Sequence, residues 1–170
     1  AIFQNKTVLI TGHTGFKGSW LSMWLTSLGA KVIGVALEPP SQPSHFEVAR
    51  LLEILVDNHL DLRDGDVLKE LVSQTKPDFV FHLAAQALVR ESYNAPIVTY
   101  HTNTIGTLNL LEALRPLKKE CTAVLITSDK CYNNVEWVWG YRETDALGGP
   151  DPYSASKGAA ESARAGETHV

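Results

Sequence analysis

Clustered positive charge is missing from this 170-residue sequence, in which 15 lysines and arginines stand against 19 acidic residues for a formal charge of −4. Attraction to nucleic acid through a broad basic face is therefore excluded, because such faces need concentrated Lys and Arg. A phosphate ligand would have to be held locally. Long apolar runs are missing as well. None approaches the ~18 residues of a membrane helix, and Phe3-Gln4-Asn5-Lys6 leads into a strand-like run without a signal-peptide pattern. A cytoplasmic protein with no membrane partner is expected. The 2 cysteines, Cys121 and Cys131, have neither the density of a disulfide scaffold nor metal-ligand spacing. Reduced thiols are expected. The 6 histidines are scattered singly, so no metal site is expected, and a lone histidine such as His82 reads as a satisfied core residue.

What is present is an ordinary globular composition, 44% hydrophobic and 20% charged, in a chain long enough for one buried core. Thr7-Val8-Leu9-Ile10-Thr11 is a β-branched, apolar run ending at Gly12, as a strand buried on both faces of a parallel sheet requires. From Gly15 to Leu28 the residues Trp20, Leu21, Trp24, Leu25 and Leu28 recur at spacings of three and four, predicting a helix that stops at Gly29. Trp20 and Trp24 are expected in its core-facing stripe. Lys31 to Leu37 reads as a second buried strand, Glu38 to Ser44 as a proline-rich loop, and Phe46 to Leu52 as a short helix. The same patterns predict a third strand at Ile54 to Val56, a helix at Asp64 to Gln74 and a strand at Asp78 to Ala84. A long helix at Pro96 to Leu114, a strand at Ala123 to Ser128 and a last helix from Tyr153, breaking off near Gly166, complete the series. This alternation predicts a doubly wound α/β fold, a Rossmann-type parallel sheet with strand order 3-2-1-4-5. It occupies residues 1–170 and leaves no room for a separate substrate domain, so the chain is expected to be incomplete as an enzyme.

Between the first strand and first helix lies Gly12-His13-Thr14-Gly15-Phe16-Lys17-Gly18, with glycines three apart. In this context Gly12 permits a tight turn, Gly15 lets backbone approach a pyrophosphate, and Gly18 lets helix pack closely on strand. The pyrophosphate would sit on the helix N-terminus, where free N–H groups and the helix dipole favour an anion. Glu38, just beyond the second strand, is placed to accept from adenosine ribose hydroxyls and to repel a 2′-phosphate, which favours NAD over NADP. Lys17 could meet a 2′-phosphate or be a solvated lysine at the helix start. Asp61 and Leu62 could hold an adenine, with a solvated loop carboxylate as the alternative. Ala84, Ala85 and Gln86 stand at the end of the fourth strand, where small residues would suit either a nicotinamide ribose or packing alone.

Tyr153 and Lys157 are four residues apart and share one face of a helix. A phenol is a poor base at neutral pH, but a neighbouring ammonium and a positive nicotinamide ring both favour phenolate. The strand before them ends in Thr127-Ser128-Asp129-Lys130, which gathers hydroxyl, carboxylate and amine groups at the carboxyl edge of the sheet, where open α/β folds bind ligands. A loop that caps the next element would explain the same residues.

The Gly12 to Gly18 turn, His82-Leu83-Ala84-Ala85, Asn103 and the Tyr153/Lys157 pair resemble the extended short-chain dehydrogenase/reductase family over essentially the whole chain. Gly12 to Leu21, Thr127 to Tyr132 and Trp137-Val138-Trp139-Gly140-Tyr141-Arg142-Glu143 are similar to the CDP-glucose 4,6-dehydratases within it. The resemblance implies an NAD site built from Gly12, Thr14, Gly15, Phe16, Lys17, Gly18, Glu38, Asp61, Leu62, Leu83 to Gln86, Asn103, Tyr153 and Lys157. It implies a CDP-glucose or related sugar-nucleotide substrate meeting Gln86, Val89, Arg90 and Ser128; Arg90 could instead be a surface cation. Tyr153, assisted by Ser128, would take the 4-hydroxyl proton while C4 is oxidised. Asp129 and Lys130 occupy the slots of the elimination acid and base, which requires Lys130 neutral and Asp129 protonated, and an ion pair between them would oppose both. Trp137 and Trp139 could form a substrate flap. A cytoplasmic homodimer or homotetramer serving deoxysugar synthesis for lipopolysaccharide O-antigen is implied too. Two other readings stay open: a sugar-nucleotide epimerase of the same family, and a catalytically silent NAD-binding domain or fragment.

Overall fold

The computed structural model describes residues 2–166. Its sheet comprises β1 (Thr7–Thr11), β2 (Lys31–Ala36), β3 (Val56–His59), β4 (Phe79–His82) and β5 (Thr122–Leu125), all parallel in the order β3-β2-β1-β4-β5. That is the doubly wound order expected. Between the strands run α1 (Phe16–Ser27), α2 (His45–Val48), α3 (Gly65–Thr75), α4 (Val89–Asn94), α5 (Pro96–Tyr100) and α6 (Gly106–Leu114), and α7 (Pro152–Gly166) follows β5. Residues 167–170, beyond the break expected near Gly166, lie outside the described residues.

Successive residues of β1 serve opposite faces, as strand geometry demands. Leu9 joins Ile33, Val35, Leu62, Leu68, Val72, Val80, Leu110 and Ala113 under α3 and α6, whereas Val8 and Ile10 join Leu25, Ala30 and Val32 under α1. The Asp64 carboxylate caps α3 by accepting from the Val67 N–H, and Lys76 closes that helix in the left-handed region.

Three expectations are corrected. Trp20 and Trp24 are 49% and 65% exposed; the face of α1 that meets the sheet is Gly18, Ser19, Ser22 and Leu25. Close helix–strand approach at the glycine turn selects small residues there, so the bulky tryptophans are driven outward, and Trp20 stacks on His45 with centroids 4.4 Å apart. The third strand is Val56–His59 rather than Ile54 to Val56, because the Ile54 and Leu55 N–H groups are committed to Leu51 O. The helix expected at Pro96 to Leu114 is interrupted by a π-turn at His101–Ile105, and α4 precedes it. Among the described residues no helix is long and apolar enough to cross a membrane.

Candidate active site

The glycine turn is built by steric exclusion. Gly12 has φ +76°, and a Cβ there would lie 2.7 Å from Ala84 N; a Cβ on Gly18 would lie 2.1 Å from Gly12 O. Neither position admits a side chain without moving backbone. A Cβ on Gly15 meets only Gly12 O at 3.3 Å, so its other side is open. Gly15 is the N-cap of α1 with no side-chain cap and no acidic residue in the first turn, which leaves the first N–H groups and the positive end of the helix dipole for an anion. Phe16 and Lys17 are exposed at that turn, while Thr14 is buried and its hydroxyl donates to Leu37 O at 2.9 Å, tying the turn to the end of β2.

Beyond β2, Glu38 is 81% exposed and its Oε1 accepts from His59 Nδ1 at 2.8 Å. His59 Nε2 donates to Asp57 Oδ2 at 2.9 Å, and Asp57 Oδ1 accepts from buried His13 Nε2 at 2.7 Å. Register explains this ladder. Gly34 of β2 pairs with Asp57 of β3, so the space above Gly34 adjoins the Asp57 carboxylate, and the His13 ring occupies it 2.4 Å from where a Gly34 Cβ would stand. His59, two residues after Asp57, returns to the same face. Burial lowers the pKa of His13 below the usual imidazole value, against Asp57; at His59 the Asp57 carboxylate, joined by Glu38, raises it against burial. Sequence reasoning missed His13, Asp57 and His59. Their signal was a glycine in a β-branched strand and an Asp-x-His alternation in the next.

Asp61 holds Arg63 through both carboxylate oxygens at 2.5 to 3.0 Å, and the Arg63 guanidinium keeps its carboxyl below the usual range. Leu62 belongs to the core with its side chain and offers the site only backbone.

A second network lies at the end of β4, where His82 is 4% exposed. The Thr107 hydroxyl gives its one proton to Asn103 O, so it must accept from His82 Nε2 at 2.9 Å; in the neutral ring Nδ1 then accepts at 2.7 Å from the Thr11 hydroxyl, whose oxygen also accepts from the Ala84 N–H. One neutral tautomer satisfies every member. Burial, then the Lys157 ammonium, lower the pKa of His82 to about 4. The expectation of a satisfied core histidine holds. Because that value lies below the unfolded one of 6.5, the group contributes stability in full above pH 6.5 and loses it as pH falls toward 4, by roughly 3 kcal/mol. A His82→Leu variant should lose about 1–3 kcal/mol at pH 7.5, through the unpaired Thr11 hydroxyl, and show a correspondingly flatter acid limb in urea melts.

Asn103, buried in the π-turn, holds the loop after β4 at two points and α7 at a third. Its Oδ1 accepts from Gln86 N at 2.8 Å, and its Nδ2 donates to Gln86 O at 3.1 Å and to Ser156 Oγ at 2.9 Å. Ser156 lies one residue before Lys157 and its hydroxyl donates to Tyr153 O. The loop carrying Leu83, Ala84, Ala85 and Gln86 is thus locked to the helix carrying Tyr153 and Lys157, which are 8% and 7% exposed. Burial pushes the Lys157 ammonium below its ordinary pKa. Val89 and Arg90 are exposed at the start of α4, which packs on α7.

Ser128 caps a short 3₁₀ turn at Asp129–Cys131: its Oγ accepts from Lys130 N at 3.0 Å and donates to Asp129 Oδ1 at 3.2 Å. Asp129 is 80% exposed and 3.5 Å from the Lys130 ammonium. Burial would raise its pKa, but the Ser128 hydrogen bond and the Lys130 charge outweigh it, so the carboxyl is held below its usual range. The capping geometry and the candidate chemistry therefore coexist in the same residues. Trp137 and Trp139, 44% and 69% exposed, lie in an irregular stretch pinned where Tyr132 stacks on Tyr141 at 5.2 Å. Among the described residues no cluster of three or more metal-ligating side chains occurs.

Comparison with known proteins agrees with this geometry. The sequence profile of the GDP-mannose 4,6 dehydratase family matches residues 9–165. The chain is 55% identical over 159 residues to CDP-glucose 4,6-dehydratase of Salmonella typhimurium, covering 94% of this chain and 44% of that protein. It is 31% identical over 172 residues to CDP-paratose 2-epimerase of Salmonella typhi, covering 91% and 50%. UDP-glucose-4-epimerase from Stenotrophomonas maltophila, solved with bound NAD and formylated UDP-arabinopyranose, superposes with a TM-score of 0.82 at 26% identity, covering 95% of this chain and 48% of that one. The chain thus spans about half the length of the relatives it matches.

Proposed function

Because the chain belongs to the GDP-mannose 4,6 dehydratase family of extended short-chain dehydrogenases/reductases, we propose that it is the NAD-binding part of a hydro-lyase converting CDP-glucose to CDP-4-keto-6-deoxyglucose. The observation that carries this reading is the 55% identity to the Salmonella CDP-glucose 4,6-dehydratase. The steric fit of the turn supports the cofactor. Gly12 and Gly18 exclude side chains where backbone must close up, and the uncapped start of α1 suits a pyrophosphate.

Bound NAD supplies the two-electron acceptor for C4 and the donor for C6, so the sugar undergoes no net oxidation. Tyr153, assisted by Ser128, takes the proton of the sugar 4-hydroxyl. Lys157 favours the phenolate and holds the nicotinamide ribose. The 4-keto group acidifies the C5 proton, which Lys130, neutral and freed of its ion pair with Asp129, removes and then returns to C5 once hydride has reached C6. Asp129 protonates the departing 6-hydroxyl, and water leaves. In the described arrangement Asp129 is an exposed carboxylate, so its role as acid requires the bound sugar to enclose it. Gln86, Val89 and Arg90 line the approach to the sugar-nucleotide, and the working enzyme is a homodimer or homotetramer in the cytoplasm. Its product feeds deoxysugar synthesis for the O-antigen.

The test replaces the matching segment of the Salmonella enzyme with this chain and offers the chimera NAD with CDP-glucose, dTDP-glucose and GDP-mannose. A 4-keto-6-deoxy product from CDP-glucose alone supports the reading. An epimer formed without loss of water indicates the epimerase, and NAD binding without turnover indicates a binding domain. In that chimera Lys130→Ala should slow exchange of the C5 proton into deuterated solvent by at least about 100-fold; exchange at the parental rate would remove Lys130 as the base.

A further inference from the structure

Glu38 stands on a loop, four-fifths exposed, and a carboxylate so placed is a poor receptor for a ribose unless something orients it. We propose that His59 is a positioning residue that orients the Glu38 carboxylate toward the adenosine ribose and thereby sets the preference for NAD over NADP. The inference rests on the reading of Glu38 as the ribose acceptor.

The geometry is specific. His59 Nδ1 donates to Oε1 of Glu38 at 2.8 Å and Nε2 donates to Oδ2 of Asp57 at 2.9 Å, so one ring is clamped between two carboxylates. The other Asp57 oxygen is held at 2.7 Å by His13, which is buried inside the glycine turn. A continuous chain thus links the element that would cradle the pyrophosphate to the element that would bind the ribose. The second Glu38 oxygen is left to accept from a hydroxyl. Both ring nitrogens can donate at once only in the imidazolium; neutral His59 must release one carboxylate. The charged groups facing His59 are Asp57 and Glu38, with His13 beyond Asp57, and the two carboxylates favour the protonated ring. The clamp is therefore complete below the raised pKa of His59 and opens as pH climbs through it, at a pH higher than an ordinary imidazole would require.

The experiment measures NAD and NADP affinity of the chain by calorimetry for the parent, Glu38→Gln, His59→Leu and the double variant, with thermal melts as the folding control. The expected result is an NAD affinity about fivefold lower in each single variant and no lower still in the double. The NAD-to-NADP preference should shrink alike in both. A purely structural His59 would lower melting without moving that ratio, and its effect would add to that of Glu38→Gln. If Glu38→Gln weakens NAD and His59→Leu does not, the inference is overturned and the ribose reading stands. If neither matters, both fall. The parent protein provides a check independent of any variant's folding: the His59 ring resonances should shift and their titration midpoint rise when NAD is added, and unmoved resonances would overturn the inference.

Discussion

Tyr153→Phe, placed in the chimera with the Salmonella enzyme, should lower C4 oxidation of CDP-glucose by about 10² to 10⁴-fold, the usual weight of a positioned proton acceptor. The substitution deletes one oxygen from a side chain that is 8% exposed, so the ring keeps its packing. Melting should stay within a few degrees of the parent, since ring volume and the Ser156 hydrogen bond to the Tyr153 carbonyl are untouched. The measurement is single-turnover formation of reduced cofactor at 340 nm. A loss smaller than tenfold would mean that Ser128 or water accepts the proton and that Tyr153 serves packing. Lys130→Ala should behave differently, because in the proposed reaction the tyrosine acts as C4 is oxidised and the lysine after it: reduced cofactor should accumulate only in the lysine variant.

The second large effect separates the fold of the turn from its ligand. Gly18→Ala puts a methyl group 2.1 Å from Gly12 O, with Gly12 C and His13 Cα at 2.8 Å, all backbone that cannot rotate away. The helix must lift from the strand. The expected cost is about 3 kcal/mol, with NAD affinity lost by roughly 100-fold or more, since overpacking against backbone lies at the upper end of its range. Gly15→Ala meets only Gly12 O at 3.3 Å. It should cost less than about 1 kcal/mol while still weakening NAD severely, because its methyl group enters the space kept for the pyrophosphate. Urea melts and calorimetry on both variants check this. Equal loss of stability in the two would mean that the open side of Gly15 has a structural purpose instead.

How much of this was legible beforehand follows from which contacts are local. Strand and helix periodicity, the glycine spacing and the four-residue step from Tyr153 to Lys157 are short-range patterns, and they yield the sheet order and point to the edge that carries the candidate site. Asn103 was singled out by kinship, yet its bonds to Gln86 and Ser156, 17 and 53 residues away, could not be read from spacing. The tryptophans of α1 misled for a related reason: periodicity identifies a bulky stripe, but how close a helix approaches its sheet decides whether that stripe or its small-residue neighbour faces inward. Hydrophobicity points to Ile54-Leu55-Val56 as the third strand, whereas the strand that forms carries Asp57 and His59 to meet partners in the glycine turn and on the loop after β2.

The sequence by itself therefore determined the α/β class, the glycine spacing of the turn after β1 and the shared helix face of Tyr153 and Lys157, because each follows from neighbours a few residues apart. Tertiary structure alone decided the tautomer of His82, the locking of the Gln86 loop to α7 and the His13-Asp57-His59-Glu38 chain. Those depend on parallel strands set side by side in one register, which brings together groups that chain distance keeps apart.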